Sequence, residues 1–157
     1  MAENEKFLRS ILETFIYGTA KADKELSGYV AAFFRRSMEE AGKEFGRRYM
    51  DRLKDSSFAD VIENFIKLME TENILLPGSL KIASKSDNEV IMELNGCIFG
   101  ELCKRFADED LKDPRGVPPC IRAMQLIGVV NTVRNEIIDW EFVEFNPPNC
   151  RFRLKKL

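Results

Sequence analysis

No histidine occurs among the 157 residues of this sequence. That absence removes Ser-His-Asp and Cys-His catalysis, histidine-ligated zinc and haem with a histidine axial ligand. Any chemistry must run on Cys, Asp, Glu, Lys, Arg or Tyr. Long apolar runs are missing too: stretches such as Val30 to Phe34 and Ile74 to Pro77 fall far short of the roughly 18 residues that span a bilayer. No transmembrane helix is expected. The net charge is only -2, with Lys and Arg interspersed among Asp and Glu. A duplex-binding protein usually concentrates a basic surplus on one element, so nucleic acid is not an expected partner. The opening residues Met1-Ala2-Glu3-Asn4-Glu5-Lys6 show neither a basic n-region nor a continuous apolar h-region, which points to a cytoplasmic location. A Gly-x-Gly-x-x-Gly run is also lacking, so a nicotinamide-dependent reaction has little support.

What is present suits a globular chain: 45% hydrophobic and 32% charged residues, too apolar for disorder. At this length one domain spanning 1–157 is expected, since single cores usually occupy roughly 100 to 200 residues. Residues 1–76 read as helical. Phe7, Leu8, Ile11, Leu12, Phe15 and Ile16 form the stripe of a first amphipathic helix ending near Gly18. A longer helical pattern runs from Leu26 to Leu53, with Gly42 and Gly46 one turn apart and suited to a close helix contact. A third helix starts at Ser56 or Ser57, either a good N-cap. Pro77-Gly78 closes this half.

From residue 79 to 157 the apolar period shifts to two. Leu80 and Ile82, then Val90, Met92 and Leu94, flank Ser86-Asp87-Asn88 as a hairpin. Phe106 to Pro119 reads as a polar loop, a candidate mobile lid, and Cys120 opens an apolar crossover helix for which Pro118 and Pro119 suit the start. Trp140, Phe142 and Glu144, then Phe152 and Leu154, form a second hairpin around Asn146-Pro147-Pro148-Asn149. The fold class is α+β (α/β): N-terminal helices packed with a small antiparallel or mixed four-stranded sheet and a crossover helix. Along the last strand Arg151, Arg153, Lys155 and Lys156 read as cations that protect a sheet edge.

All four cysteines fall in this second half. If the strand ending at Cys97 finishes at the top of the sheet, a helix of roughly 25 Å from Cys120 crosses one face to the bottom. The next strand climbs back, which returns Glu144 and Cys150 to the top. Topology thus brings Cys97, Cys103, Cys120, Glu144 and Cys150 to one end of the sheet. Three readings stay open. The thiols are ordinary buried side chains; or four of the five groups hold zinc, with Glu144 as an oxygen ligand; or Cys120 is a nucleophile at a helix N-terminus, though without a histidine base. The aromatic residues Tyr29, Phe33, Phe34, Phe45 and Tyr49 read either as core or as the wall of an apolar ligand cavity.

Gly96-Cys97, Cys120 at a helix start, Val143-Glu144, the closing Asn149-Cys150-Arg151-Phe152 and the glycine pair of Ala41-Gly42-Lys43-Glu44-Phe45-Gly46 together resemble the four-vinyl-reductase domain family. Its fold is shared with TRAPP vesicle-tethering subunits. The resemblance implies a homodimer with an internal pocket for a hydrophobic small molecule, used for sensing or, by the family's name, vinyl-group reduction. In related aromatic-sensing regulators a zinc is held by a cysteine at the helix start, a glutamate on the following strand and two cysteines of the last hairpin. Cys120, Glu144 and Cys150 match three of these positions. Pro147 stands at the fourth, so Cys97 or Cys103 would complete the set. The leading expectation is a non-enzymatic ligand-binding domain with structural zinc. The alternatives are a zinc- or thiol-dependent hydrolase, a vinyl-group reductase, or a pure assembly subunit.

Overall fold

The computed structural model describes residues 3–30 and 32–157; Met1, Ala2 and Ala31 lie outside the described residues. The chain runs α1 (Glu3–Ser27), α2 (Ala32–Arg48), α3 (Met50–Leu53), α4 (Phe58–Thr71), β1 (Leu80–Lys85), β2 (Glu89–Leu94), α5 (Gly100–Asp108), α6 (Ile121–Arg134), β3 (Ile138–Glu144) and β4 (Arg151–Lys156). The fold is α+β, and its four strands form one antiparallel sheet in the order β1-β2-β4-β3.

The first boundary differs from the sequence expectation. Helix α1 passes through Gly18 to Ser27, and the break comes at Gly28, whose φ of +84° places it in the left-handed region. Gly18 is exposed with nothing near its Cα, so a helical glycine there costs at most about 1 kcal/mol and does not stop the helix. The second half of α1 has its own anchor: buried Asp23 accepts a 3.0 Å hydrogen bond from the Phe34 backbone N–H. The long second helix is likewise divided, with a turn at Tyr49 separating α2 from α3. Ser57 caps α4 as expected, accepting from the Asp60 N–H while its hydroxyl donates to the Asp60 carboxylate at 2.6 Å.

Helix α6 is apolar on nearly every side and is accordingly buried at Ile121, Ala123, Met124 and from Leu126 to Val130, with Arg122 and Gln125 half-buried between them. It lies against α2, α4 and the strands β3 and β4. Its closest neighbour is α2. A Cβ on Gly128 would stand 2.1 Å from the Glu39 carbonyl oxygen, and one on Gly42 would stand 2.0 Å from that of Gln125. The two backbones therefore touch, which only glycine allows. Gly46, the second glycine singled out in the sequence, meets Thr132 less tightly.

On the sheet, Leu80, Val90, Met92, Leu94, Ile138, Trp140, Phe152 and Leu154 are buried. The opposite face of β4 carries Arg151, Arg153 and Lys155. Here the expectation of edge protection fails, because β4 lies between β2 and β3. Its cations form cross-strand pairs instead: Arg153 reaches Glu89 at 3.1 Å and Glu141 at 2.5 Å. The apolar stripe of α1 also departs from a simple core role. Ile16 is buried, whereas Phe7, Leu8, Ile11, Leu12 and Phe15 are 46–69% exposed, leaving a broad apolar face on the surface of the single chain. No helix of the described residues is long and apolar enough to cross a membrane.

Replacing Gly128 with alanine is expected to destabilise the chain by about 2–3 kcal/mol, the upper range for overpacking a tight interior. Gly18→Ala should instead stabilise it by roughly 0.5–1 kcal/mol. Urea denaturation followed by circular dichroism measures both; equal effects at the two positions would refute the backbone contact.

Candidate functional site

The top of the sheet is built by hydrogen bonds that tie the end of β2 and the residues after it to the turn before β4. The Leu94 N–H donates to the Cys150 carbonyl at 2.8 Å, Cys97 to that of Pro148 at 3.0 Å, and the Gly96 N–H to the Asn149 side chain at 2.9 Å. Helix α5 was not expected from the sequence; its first residues fall in the span between hairpin and loop, and Phe106, expected in the loop, lies inside it. It starts hard against the turn, since a Cβ on Gly100 would meet Pro148 Cβ at 2.6 Å. Its second turn carries Cys103, and Cys120 is the N-cap of α6.

Cys97, Cys103, Cys120 and Cys150 consequently line one enclosed space, together with Phe99, Arg122, Phe142 and Pro147. All four thiols are free, and all but Cys97 are buried. The room left between them is about 10 Å³, close to what one water molecule occupies. Glu144 ends β3 on the surface, yet lies near enough for its charge to act on Cys150. No group of three or more Cys, Asp or Glu side chains among the described residues is already gathered about a metal-sized point.

Burial governs the protonation of Cys103, Cys120 and Cys150. It pushes Cys120 up to about 12, against partial relief from the Ala123 N–H at the helix start. Cys103 is driven higher still by burial and by the neighbouring cysteines, and Cys150 is raised for the same first reason. Cys120 is therefore a protonated thiol at neutral pH, which speaks against its role as a nucleophile.

Sequence reasoning missed Arg122. Its guanidinium lines the thiol space, sits 5.2 Å from the Phe99 ring centre, and donates to Gln125 at 3.3 Å. Its position two residues after a helix-starting cysteine was the available signal. Burial lowers its pKa.

A second cavity adjoins the first. A cleft of about 480 Å³ lies between the loop residues Arg115 and Val117 and the strands β3 and β4, lined by Trp140, Phe142 and Leu157 with Asp139, Glu141, Arg153 and Lys155 at its margins. Phe142 lines both cavities. It stands edge-on between Trp140 at 5.1 Å and Phe145 at 5.0 Å. The loop expected to be a mobile lid is pinned. Buried Asp113 accepts from the Arg115 N–H at 2.9 Å and pairs with the Arg115 guanidinium at 2.7 Å, while its own N–H donates to the Val117 carbonyl. Arg115 in turn stacks 4.7 Å from the Trp140 ring. The helical aromatics do not share a cavity. Phe34 packs on Phe106 and Tyr49 on Phe65 in the core, whereas Tyr29 and Phe33 are exposed.

No family model matches the chain, and no curated protein matches it.

The raised thiols make stability depend on alkali. An unfolded Cys120 ionises near its ordinary 9.0 but the folded one near 12, so its contribution is whole below pH 9 and is lost as pH rises toward 12. Metal-free protein should lose roughly 1.4 kcal/mol per pH unit for each such thiol. Cys120→Ala should show a correspondingly shallower loss in urea titrations at pH 8, 9 and 10. An unchanged slope would contradict the protonated, buried state.

Proposed function

We propose that the chain is a non-catalytic small-molecule-binding domain in which a zinc ion, held by four of Cys97, Cys103, Cys120, Glu144 and Cys150, fixes the top of the sheet beside a ligand cleft. One observation carries this reading: all four cysteines of the chain line one small space of about 10 Å³, too small for an organic substrate. The donor set fits a soft borderline cation such as zinc, which thiolates bind once their protons are displaced. Zinc with four protein ligands has no open position and supplies folding energy rather than catalysis. These cysteines sit just before and on α5, at the start of α6 and on the final hairpin, so the ion would join those elements. A reducing, cytoplasmic setting belongs to the same reading, since four thiols this close would otherwise be exposed to oxidation.

The ligand belongs in the Phe142 cleft. Its volume of about 480 Å³ lies within the range of roughly 300–1,000 Å³ for small-molecule sites. Trp140, Phe142, Val117 and Leu157 give it apolar walls, and Arg115 closes one side from a pinned loop. The four-vinyl-reductase resemblance leads to the same ligand class, a hydrophobic small molecule. It also leads to a homodimer, for which the uncovered stripe of α1 offers a surface. An enzymatic reading has less support, because Cys103 and Cys120 are held protonated and the thiol cluster has no room for a substrate.

Protein purified without chelator or metal-affinity resin is expected to hold about one zinc per chain. Its removal should lower the melting temperature by ~5–10 °C, as loss of a ligand present at a hundredfold over its dissociation constant does in a domain this size. Absence of zinc, with no thermal shift on adding it, would refute the metal site. Trp140 is the only tryptophan, so aromatic and lipid-like compounds bound in the cleft should shift its fluorescence, and Val117→Trp should block them. A library that leaves the emission unchanged and binds nothing in native mass spectrometry would remove the ligand cleft.

A further inference from the structure

Five charged side chains line the Phe142 cleft, and four of them are already matched. Arg115 pairs with Asp113 at 2.7 Å, and Arg153 with Glu141 at 2.5 Å and Glu89 at 3.1 Å. Asp139 lies 3.8 Å from the guanidinium of Arg35 and 3.9 Å from that of Arg115. Lys155 is the exception. It is exposed, and no carboxylate of the described residues lies within ion-pair distance of it. Its neighbours across the ladder are Glu89 on β2 and Asp139 on β3, the same two acids that the arginines hold.

That asymmetry sorts the ligands the cleft can take. A cationic ligand has to compete with Arg153 for Glu141, or with two arginines for Asp139, so each contact it gains breaks one that exists. An anionic ligand meets Lys155 and breaks nothing. Its apolar body has Val117, Phe142 and Leu157 to lie against. Burial of that body supplies most of the affinity, and one placed charge supplies orientation. We propose that the ligand of this cleft is an amphipathic organic anion, a carboxylate on an apolar body, with its head group facing Lys155 and its body covering Phe142. This rests on the ligand-cleft reading above and adds the sign of the ligand's charge to it. Because Lys155 is in contact with water, its attraction discriminates between ligands more than it tightens binding. An exposed charge pair is weak and fades with salt.

Octanoate, octanamide and octylammonium share one apolar body and differ in charge, so they serve as the probes. Their binding is followed by Trp140 emission and by calorimetry in low salt. Octanoate is expected to bind ~2–5-fold more tightly than octanamide, the worth of a charge pair at a water-exposed margin, and octylammonium to bind most weakly. High salt should shrink the gap between octanoate and octanamide. Lys155→Gln should close that gap, Lys155→Arg should keep it, and Lys155→Glu should place octylammonium ahead of octanoate. Octanamide should bind all four proteins about equally, which separates a lost charge from a damaged cleft. Equal affinity for octanoate and octanamide in the wild type, or a preference that survives Lys155→Gln, would overturn the anion and leave the cleft standing. So would failure of all three probes in a protein that still binds neutral aromatic compounds. If none of these compounds binds, both the anion and the cleft fall.

Discussion

The approach of α2 and α6 at Gly42 and Gly128 is the constraint on which the rest of the structure depends. Where two helices meet backbone to backbone, their spacing is set by main-chain atoms and cannot be relaxed by changing rotamers. Helix α6 is thereby fixed against α2 on one side while it packs β3 and β4 on the other. Its N-terminus is delivered to the top of the sheet, where Cys120 and Arg122 face the turn at Pro148. The place of Cys120 in the thiol cluster thus depends on a helix contact two turns further along α6.

Much of this was legible in the amino-acid sequence, for identifiable reasons. Both hairpins announce themselves through strict alternation and Asn- or Pro-rich turns, and Cys120 through the double proline before it. Given strands that reverse and a helix long enough to cross the sheet, the convergence of Cys97, Cys103, Cys120 and Cys150 is a matter of direction alone. Other features depend on information that periodicity does not hold. Gly18 and Gly28 look alike in sequence, and only the positive φ at Gly28 makes it the helix end. Gly128 is one apolar-looking residue in an apolar helix until its neighbour proves to be the Glu39 carbonyl. The cations of β4 suit an edge or a centre equally well, and strand order decides between them. Arg122 reads as a solvated helical residue, and its place two residues after Cys120 is the sole local hint that it lines the thiol space.

The thiols that line the small space at the top of the sheet are governed by their surroundings more than by one another. Apolar neighbours keep Cys103 and Cys120 protonated, since an isolated thiolate there would forfeit its hydration.

Phe142 separates that space from the neighbouring cleft and belongs to both. A change at this one residue therefore alters the lining of both spaces at once. Substitutions that reshape the cleft and leave the thiol space as it is fall instead on Val117, Leu157 and the charged margin.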